Sequence, residues 1–303
     1  MTVSPFSAVP ARDRRMVEKR SRHRLDHPAA TVVRWANLPR WDRAALATGG
    51  PGLTVFIGTS GWQYDSWRGR FYPNDLAQSQ WLEFYARSFR TVEVNNTFYR
   101  LPAASTFTSW AQRTPDDFVM TLKASRYLTH VKRLHDPEEP VRRLMSAAAG
   151  LDGKLGAVLL QLPPDMPARV GDLDHTLRNF PKQVRVAVEP RHRSWFTDDL
   201  RNVLERHDAA MCLADRRSRP VTPLWRTASW GYLRLHEGRS AHSPCYGRRA
   251  LTSWAGRLAE LFGSGDDVYV YFNNDALACA VRDARLFAAT LSSSGRAVSR
   301  TPG

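Results

Sequence analysis

Cysteine is scarce in this 303-residue chain: Cys212, Cys245 and Cys279 are the only three, widely spaced, with no CxxC pair. That argues against a thiolate zinc knuckle and against a disulfide framework, and it fits a reducing, cytoplasmic setting. No apolar run approaches the roughly 20 residues of a membrane span, so no membrane partner is expected. The N-terminus lacks the apolar core of a secretory signal. GxSxG is missing, so Ser60 in "GTSGW" is no nucleophile elbow. GxxxxGK[ST] is missing, so neither that stretch nor "WRGRF" is a phosphate loop. There is no HExxH or HxH spacing either, and no cofactor is expected from the motifs.

What is present is a folding chain with 43% hydrophobic residues, ten tryptophans and thirteen phenylalanines. That is core enough for one large domain or two ordinary ones. The net charge is +15, of which residues 1–52 carry +6 and the remainder +9. A basic chain suits phosphate-bearing partners, but the same charge also simply aids solubility. Nucleic acid is therefore kept as an alternative partner.

The chain divides at "ATGGPGLTVFIG". Residues 1–52 show little hydrophobic periodicity and read as a basic, flexible extension in which Trp35 and Trp41 could dock on the main domain. Residues 292–303 read as a tail. Between them, residues 53–291 alternate strand-like and helix-like segments. The strand candidates are 54–62, 91–98, 118–125, 156–164, 184–190, 209–215, 230–237 and 267–275, mostly short apolar runs of the kind buried on both faces. In "DPEEPVRRLMSAAAG", Asp136 is a candidate N-cap, Pro137 the first helical residue and Glu139 the capping-box partner. In "RRALTSWAGRLAELF", Leu251, Trp254, Leu258 and Leu261 share a helical face and Gly263 can cap the end. Eight strands in a β-then-α rhythm over about 250 residues predict an α/β fold, a single TIM-type (β/α)8 barrel, with a doubly wound open sheet as the alternative.

Active sites of such barrels lie at the C-terminal ends of the strands. Polar residues gather there: Ser60 and Trp62; Glu93, Asn95, Asn96 and Tyr99; Lys123, Ser125 and His130; Gln161; Glu189, Arg191 and His192; Asp215; Arg234 and His236; Tyr271, Asn273 and Asn274. The stretches "IGTSGWQYDSWRGRFYP", "TVEVNNTFYRLP", "KASRYLTH", "QLPP", "RHRSWF", "YLRLHE" and "YVYFNND" closely resemble the signatures of the YecE-like family, known as domain of unknown function 72. The resemblance runs in order from about Val55 to about Leu291. It implies a TIM barrel and no particular reaction. The chain departs from the pattern at Pro190, where an aromatic residue is usual, and at Glu237, where glycine is usual.

Glu93 and Glu189 are candidate general bases, with His192 and His236 as acid–base partners. The competing reading makes each glutamate half of a structural ion pair with Lys123, Arg191 or Arg234. His130, His192 and His236 could join Glu93, Glu189 and Asp215 around a metal, but the nearby basic residues oppose a cation and none is expected. Lys123, Arg191 and Arg234 suit an anionic group, Trp62 and Tyr99 can stack on a sugar or a base, and Asn273 and Asn274 can orient hydroxyls. These residues predict an enzyme, hydrolase-like, acting on a small anionic or sugar-like substrate. The alternatives are a non-catalytic nucleic-acid binder and a metabolite-binding barrel.

Overall fold

Short runs of β-branched and apolar residues, each ended by polar or glycine-containing stretches, set the strands in this computed structural model, which describes residues 54–239, 244–263, 265–293 and the backbone of 298–299. All lie within the unit Asn37–Gly303. The extension 1–52, with Trp35 and Trp41, falls outside the described residues.

Among the described residues eight parallel strands make the ring: β1 Thr54–Thr59, β2 Thr91–Val94, β3 Val119–Lys123, β4 Leu155–Gln161, β5 Val186–Glu189, β6 Ala210–Arg216, β7 Gly231–Leu235 and β8 Asp267–Phe272. Each pairs with its neighbour in sequence from β2 through β8, and β8 pairs with β1. A bridge between Ser60 and Glu93 brings β1 back to β2 and closes the ring. The fold is an α/β TIM-like barrel, as the rhythm predicts; the open sheet is ruled out by this closure.

The β1–β2 seam is held by a side chain rather than by a full ladder. The Tyr85 hydroxyl accepts from the backbone N–H of Thr59 at 3.0 Å and donates to the carbonyl of Thr91 at 3.0 Å. Close approach at this seam also requires Gly58, because a Cβ there would run into the Thr91 carbonyl. Beside the lower half of β1, the two-residue strand Val298–Ser299 adds a further parallel partner within the stretch read as a tail.

Among the described residues seven helices of two turns or more pack outside the strands: α1 Trp81–Ser88, α2 Ala104–Gln112, α3 Glu138–Ala148, α4 Val170–Arg178, α5 Asp198–Arg206, α6 Arg248–Leu261 and α7 Cys279–Ser292. Helix α5 shows the local logic. Thr197 caps it by accepting from Leu200 N, Asp198 and Asp199 sit in the first turn, and Leu200, Val203 and Leu204 face inward. Burying three such side chains contributes roughly 1.5–3 kcal/mol each. Between β6 and β7 no helix forms. Pro220 and Pro223 fall in that stretch, which instead makes a short antiparallel turn, Arg219–Pro220, against β6.

Three local expectations are corrected. Helix α3 starts at Glu138 without a side-chain cap, because Asp136 is committed to Lys132 at 3.2 Å and Glu139 to Arg143. Helix α6 passes through Phe262 to Gly263 without a left-handed glycine, and the positive φ falls at Gly265. Cys245 and Cys279 are joined by a disulfide, with Cα atoms 4.9 Å apart, while Cys212 is free and buried. Spacing along the chain does not reveal a pairing that the barrel makes between the α6 approach and the start of α7. Among the described residues no helix is long and apolar enough to cross a membrane.

Candidate active site

Side chains of a strand alternate between its two faces, so every second residue points into the barrel. Phe56, Val119, Ala157, Ala187, Ala210, Trp230 and Tyr269 form the apolar interior. Small residues on β4, β5 and β6 leave room for large rings from β7 and β8. Two residues further along the strands a hydroxyl layer succeeds it. Tyr271 OH lies 2.7 Å from Thr91 Oγ1 and 2.8 Å from Thr121 Oγ1. Beside it is Tyr232. Two residues further again come Glu93, Gln161, Glu189 and Arg234, and the same parity then delivers Lys123, Arg191, His236 and Asn273 to the mouth.

The layer of Glu93, Glu189 and Arg234 is sealed, at 0%, 2% and 1% exposure. Arg234 is its hub: Nη2 donates to Glu93 Oε1 at 2.8 Å and Nη1 to Glu189 Oε2 at 2.6 Å. Tyr232 OH donates to Glu93 Oε2 at 2.6 Å. Glu189 receives three further donors: Gln161 Nε2 at 2.8 Å, His236 Nε2 at 3.0 Å and Arg191 Nε at 3.3 Å. Burial would raise the Glu189 carboxyl, but Arg234, with His236 and Arg191, outweighs it and holds it well below the usual carboxylate range. Burial likewise opposes the charge on Arg234, and Glu93 and Glu189 overcome it. Burial lowers the His236 imidazole despite Glu189. A neutral ring donating from Nε2 to Glu189 leaves Nδ1 to accept from Asn273 Nδ2 at 3.2 Å, which fixes the tautomer.

Above this layer the solvent-facing groups are cationic. Arg191 is about one-third exposed. The half-buried Lys123 ammonium lies 4.2 Å over the Phe98 ring and has no acceptor among the described residues. Burial, then Arg234, pulls it down to about 8 against the pull of Glu93 and Glu189. His130 is lowered by burial and then by Lys123, Arg126 and Arg191. Its Nδ1 pairs with Thr129 Oγ1 at 2.9 Å.

The structure thus brings together Glu93, Glu189, Lys123, Arg191, Arg234, His236 and Asn273, and it separates five other candidates from them. His192 turns its Nδ1 to Ser194, 2.8 Å away, and caps the 3-10 turn Arg193–Trp195. Asn274 has the opposite parity to Asn273 and donates to Asp283 at 2.8 Å beside α7. Trp62 is buried edge-on against Trp110. Tyr99 is 80% exposed and lines a surface cleft with Arg100 and Arg143. Asp215 accepts from Tyr246 OH and Trp254 Nε1 at 2.7 and 2.8 Å and anchors α6. Among the described residues no group of three or more His, Cys, Asp or Glu is arranged to hold a metal. Sequence reasoning missed Tyr232 as a partner of Glu93, although its spacing from Arg234 and His236 on one strand face is a readable signal. Pro190, the departure from the family pattern, simply ends the β5 ladder after Glu189 and leaves that carboxylate in place.

A family model described as a protein of unknown function, DUF72, matches residues 56–303. UPF0759 protein YecE of Escherichia coli K12 is 29% identical over 143 residues, 47% of this chain and half the length of YecE. UPF0759 protein YunF of Bacillus subtilis is 24% identical over 73% of this chain and 89% of YunF. Among solved structures, a DUF72 family protein of Thermotoga maritima superposes with a TM-score of 0.70 at 27% identity, over 79% of this chain and 99% of that one. One from Enterococcus faecalis gives 0.66 at 17% identity, over 78% and 95%, a likeness of fold alone.

Proposed function

The chain belongs to the DUF72 family, for which no reaction is established, and from its own geometry we propose that it is an enzyme acting on a small anionic substrate at the C-terminal mouth of the barrel. One observation carries this reading. The charged cluster holds two carboxylates, Glu93 and Glu189, against three cations, Lys123, Arg191 and Arg234, and both carboxylates are bonded to the deepest cation. The surplus positive charge sits at the mouth, where an anion would offset the cost of its partial burial. Arg191 and Lys123 would meet the anion. Asn273, held against His236, would meet a neighbouring hydroxyl or carbonyl.

Hydrolysis with Glu93 or Glu189 as general base does not fit this arrangement. A base needs an oxygen free to take a proton, whereas Glu189 is filled by four donors and Glu93 is sealed, with one oxygen held by Tyr232 and the other by Arg234. Their role is to hold Arg234 and, through Glu189, to aim Arg191 and His236.

The test is binding by the full-length chain. Inorganic phosphate or a small carboxylate such as pyruvate should raise the melting temperature, and Arg191→Gln should abolish that rise while leaving the unliganded melt nearly unchanged. Anions that stabilise parent and variant equally would sink the proposal. Binding of a DNA or RNA duplex that falls steeply with salt and ignores Arg191 would favour the nucleic-acid alternative instead.

A further inference from the structure

Lysine is rare in this chain: five of its 44 basic residues, the others being arginine. Lys19 lies outside the described residues. Lys132 pairs with Asp136 at 3.2 Å. Lys154 donates to the carbonyls of Ala111 and Thr114 at 2.6 and 2.7 Å, closing the end of α2. Lys182 is exposed. Lys123 alone among the described lysines is half-buried with no oxygen to receive its ammonium, and it stands at the end of a barrel strand against an aromatic ring.

A guanidinium cannot lose its proton at any working pH, whereas an amine can, so the choice of lysine matters where the rest of the chain uses arginine. From this placement we infer that Lys123 is a nucleophile that forms an imine with a small carbonyl compound carrying a carboxylate or phosphate group. The inference rests on the anionic-substrate reading above. Arg191 holds the anionic group, which sets the carbonyl carbon over Lys123 Nζ. The neutral amine attacks that carbon, a C–N bond forms and the C=O π pair moves to oxygen. The nitrogen loses a proton to water. The oxygen, protonated twice from solvent, leaves as water while the nitrogen lone pair makes the C=N+ bond. No oxidant or reductant enters. The groups facing Lys123 are Phe98 beyond β2, Glu93 on β2, Glu189 and Arg191 at β5, Arg234 on β7 and His130 after β3. The two carboxylates that could keep the amine charged are both engaged by Arg234. The ammonium accordingly loses its proton about pH 8, within reach of neutral conditions.

The experiment is reductive trapping on the full-length protein. Glyoxylate, glyceraldehyde 3-phosphate and neutral acetaldehyde are each added, sodium borohydride is then supplied, and the labelled lysine is located by peptide mass mapping. Glyoxylate or the phosphate-bearing aldehyde should label Lys123 at least about tenfold faster than Lys182, with a pH dependence that inflects near the lowered value, and acetaldehyde should show much less preference. Which anionic probe is faster distinguishes carboxylate from phosphate. Lys123→Arg should abolish the adduct at this site, and Arg191→Gln should remove the advantage of the anionic probes. Lys123→Met serves as a second variant should the arginine disturb the mouth. Labelling spread over Lys132 and Lys182 with Lys123 unmodified overturns the inference. If phosphate or pyruvate stabilises the parent through Arg191 while no adduct forms, the imine chemistry falls and the anion site stands; if neither occurs, both fall.

Discussion

Two buried acid centres occupy adjacent strands of this barrel and are partnered by opposite means. Glu93 and Glu189 face Arg234, a full counter-charge. Asp215 and Asp283 take their hydrogen bonds from neutral donors: Tyr246 OH and Trp254 Nε1 for the first, Tyr246 N and Asn274 Nδ2 for the second, whose one nearby cation is the largely exposed Arg282, 4.0 Å away. Burial pushes carboxyls toward the neutral form, and at Glu189 the buried Arg234, with His236 and Arg191, reverses it. Glu189 is held well below its ordinary value, whereas burial leaves Asp215 and Asp283 raised despite their hydrogen bonds. The neutral-donor centre fastens α6 and α7 to the sheet and is cross-linked by Cys245–Cys279. Among the described residues the charged centre bonds to no outer helix. It shapes the mouth from below, and that is the difference between an anchor and a platform.

The largest expected effect comes from removing one charge of the platform. Glu189→Gln leaves half of the Arg234 guanidinium facing an amide, and an uncompensated buried charge costs about 3–5 kcal/mol. Asp215→Asn keeps its shape, and the amide can accept from Trp254 while donating to Tyr246, so its cost stays near 1 kcal/mol. Urea midpoints of the two variants measure the contrast. Near-parent stability of Glu189→Gln would show that Glu189 is not held as a structural ion pair and would restore it as a candidate base.

Breaking the cross-link tests the anchor. The disulfide closes a segment with a sequence separation of 34 residues, for which loss of chain entropy in the unfolded state predicts a contribution of about 3–4 kcal/mol. Reduction, or the Cys245→Ser and Cys279→Ser pair, should lower the melting temperature while trapping at Lys123 continues. Loss of anion binding along with stability would mean that the two centres are one unit.

Acid should separate the centres by sign. A carboxyl with a depressed folded value adds stability above the unfolded value of about 4.3, and that stability is lost as pH falls through the folded value. This is Glu189. A carboxyl with a raised folded value does the reverse: the folded state takes up the proton first, so stability rises as pH falls toward about 3.9. These are Asp215 and Asp283. Between neutral pH and about 4, the parent should therefore gain on Asp215→Asn, read as a change in the gap between their melting temperatures. A gap independent of pH would show that Asp215 titrates normally.

The sequence carries much of this architecture in readable form and hides the rest for physical reasons. The eight apolar runs become strands because each is too short for a buried helix and is ended by polar groups, and those groups do collect at one end. Strand parity sorts them further. Tyr271 and Asn273 share the inner face, so Asn274 has to point out, toward Asp283. Tyr232, Arg234 and His236 share the inner face of β7. The partners themselves are non-local: Glu93 and Arg234 are 141 residues apart, and no local pattern announces their contact. His192 defeats sequence reasoning because a histidine two residues before a serine suits a turn cap as well as a mouth, and only the fold decides. The missing helix after β6 is legible in Pro220 and Pro223.

The smallest effect concerns Lys123, and it sharpens the contrast because here a charge should be worth less than nothing. Its folded value is lowered to about 8, below the unfolded value of about 10.4, so at pH 7 the folded state holds the proton less readily than the unfolded chain. The charge therefore works against folding at neutral pH, and stability on this account rises as pH climbs through about 8 toward 10. Lys123→Met keeps most of the stem and its packing on Phe98 while removing the charge. The variant should be as stable as the parent at pH 7 or better, by up to about 1 kcal/mol, after allowance for solvent reaching a half-buried ammonium. The advantage should shrink between pH 8 and 10 as the parent's amine loses its own proton. Glu189→Gln should show no such recovery at high pH. If Lys123→Met instead unfolds as readily as Glu189→Gln, then the lysine belongs to the structural network with Arg234, and its freedom to react is gone with it.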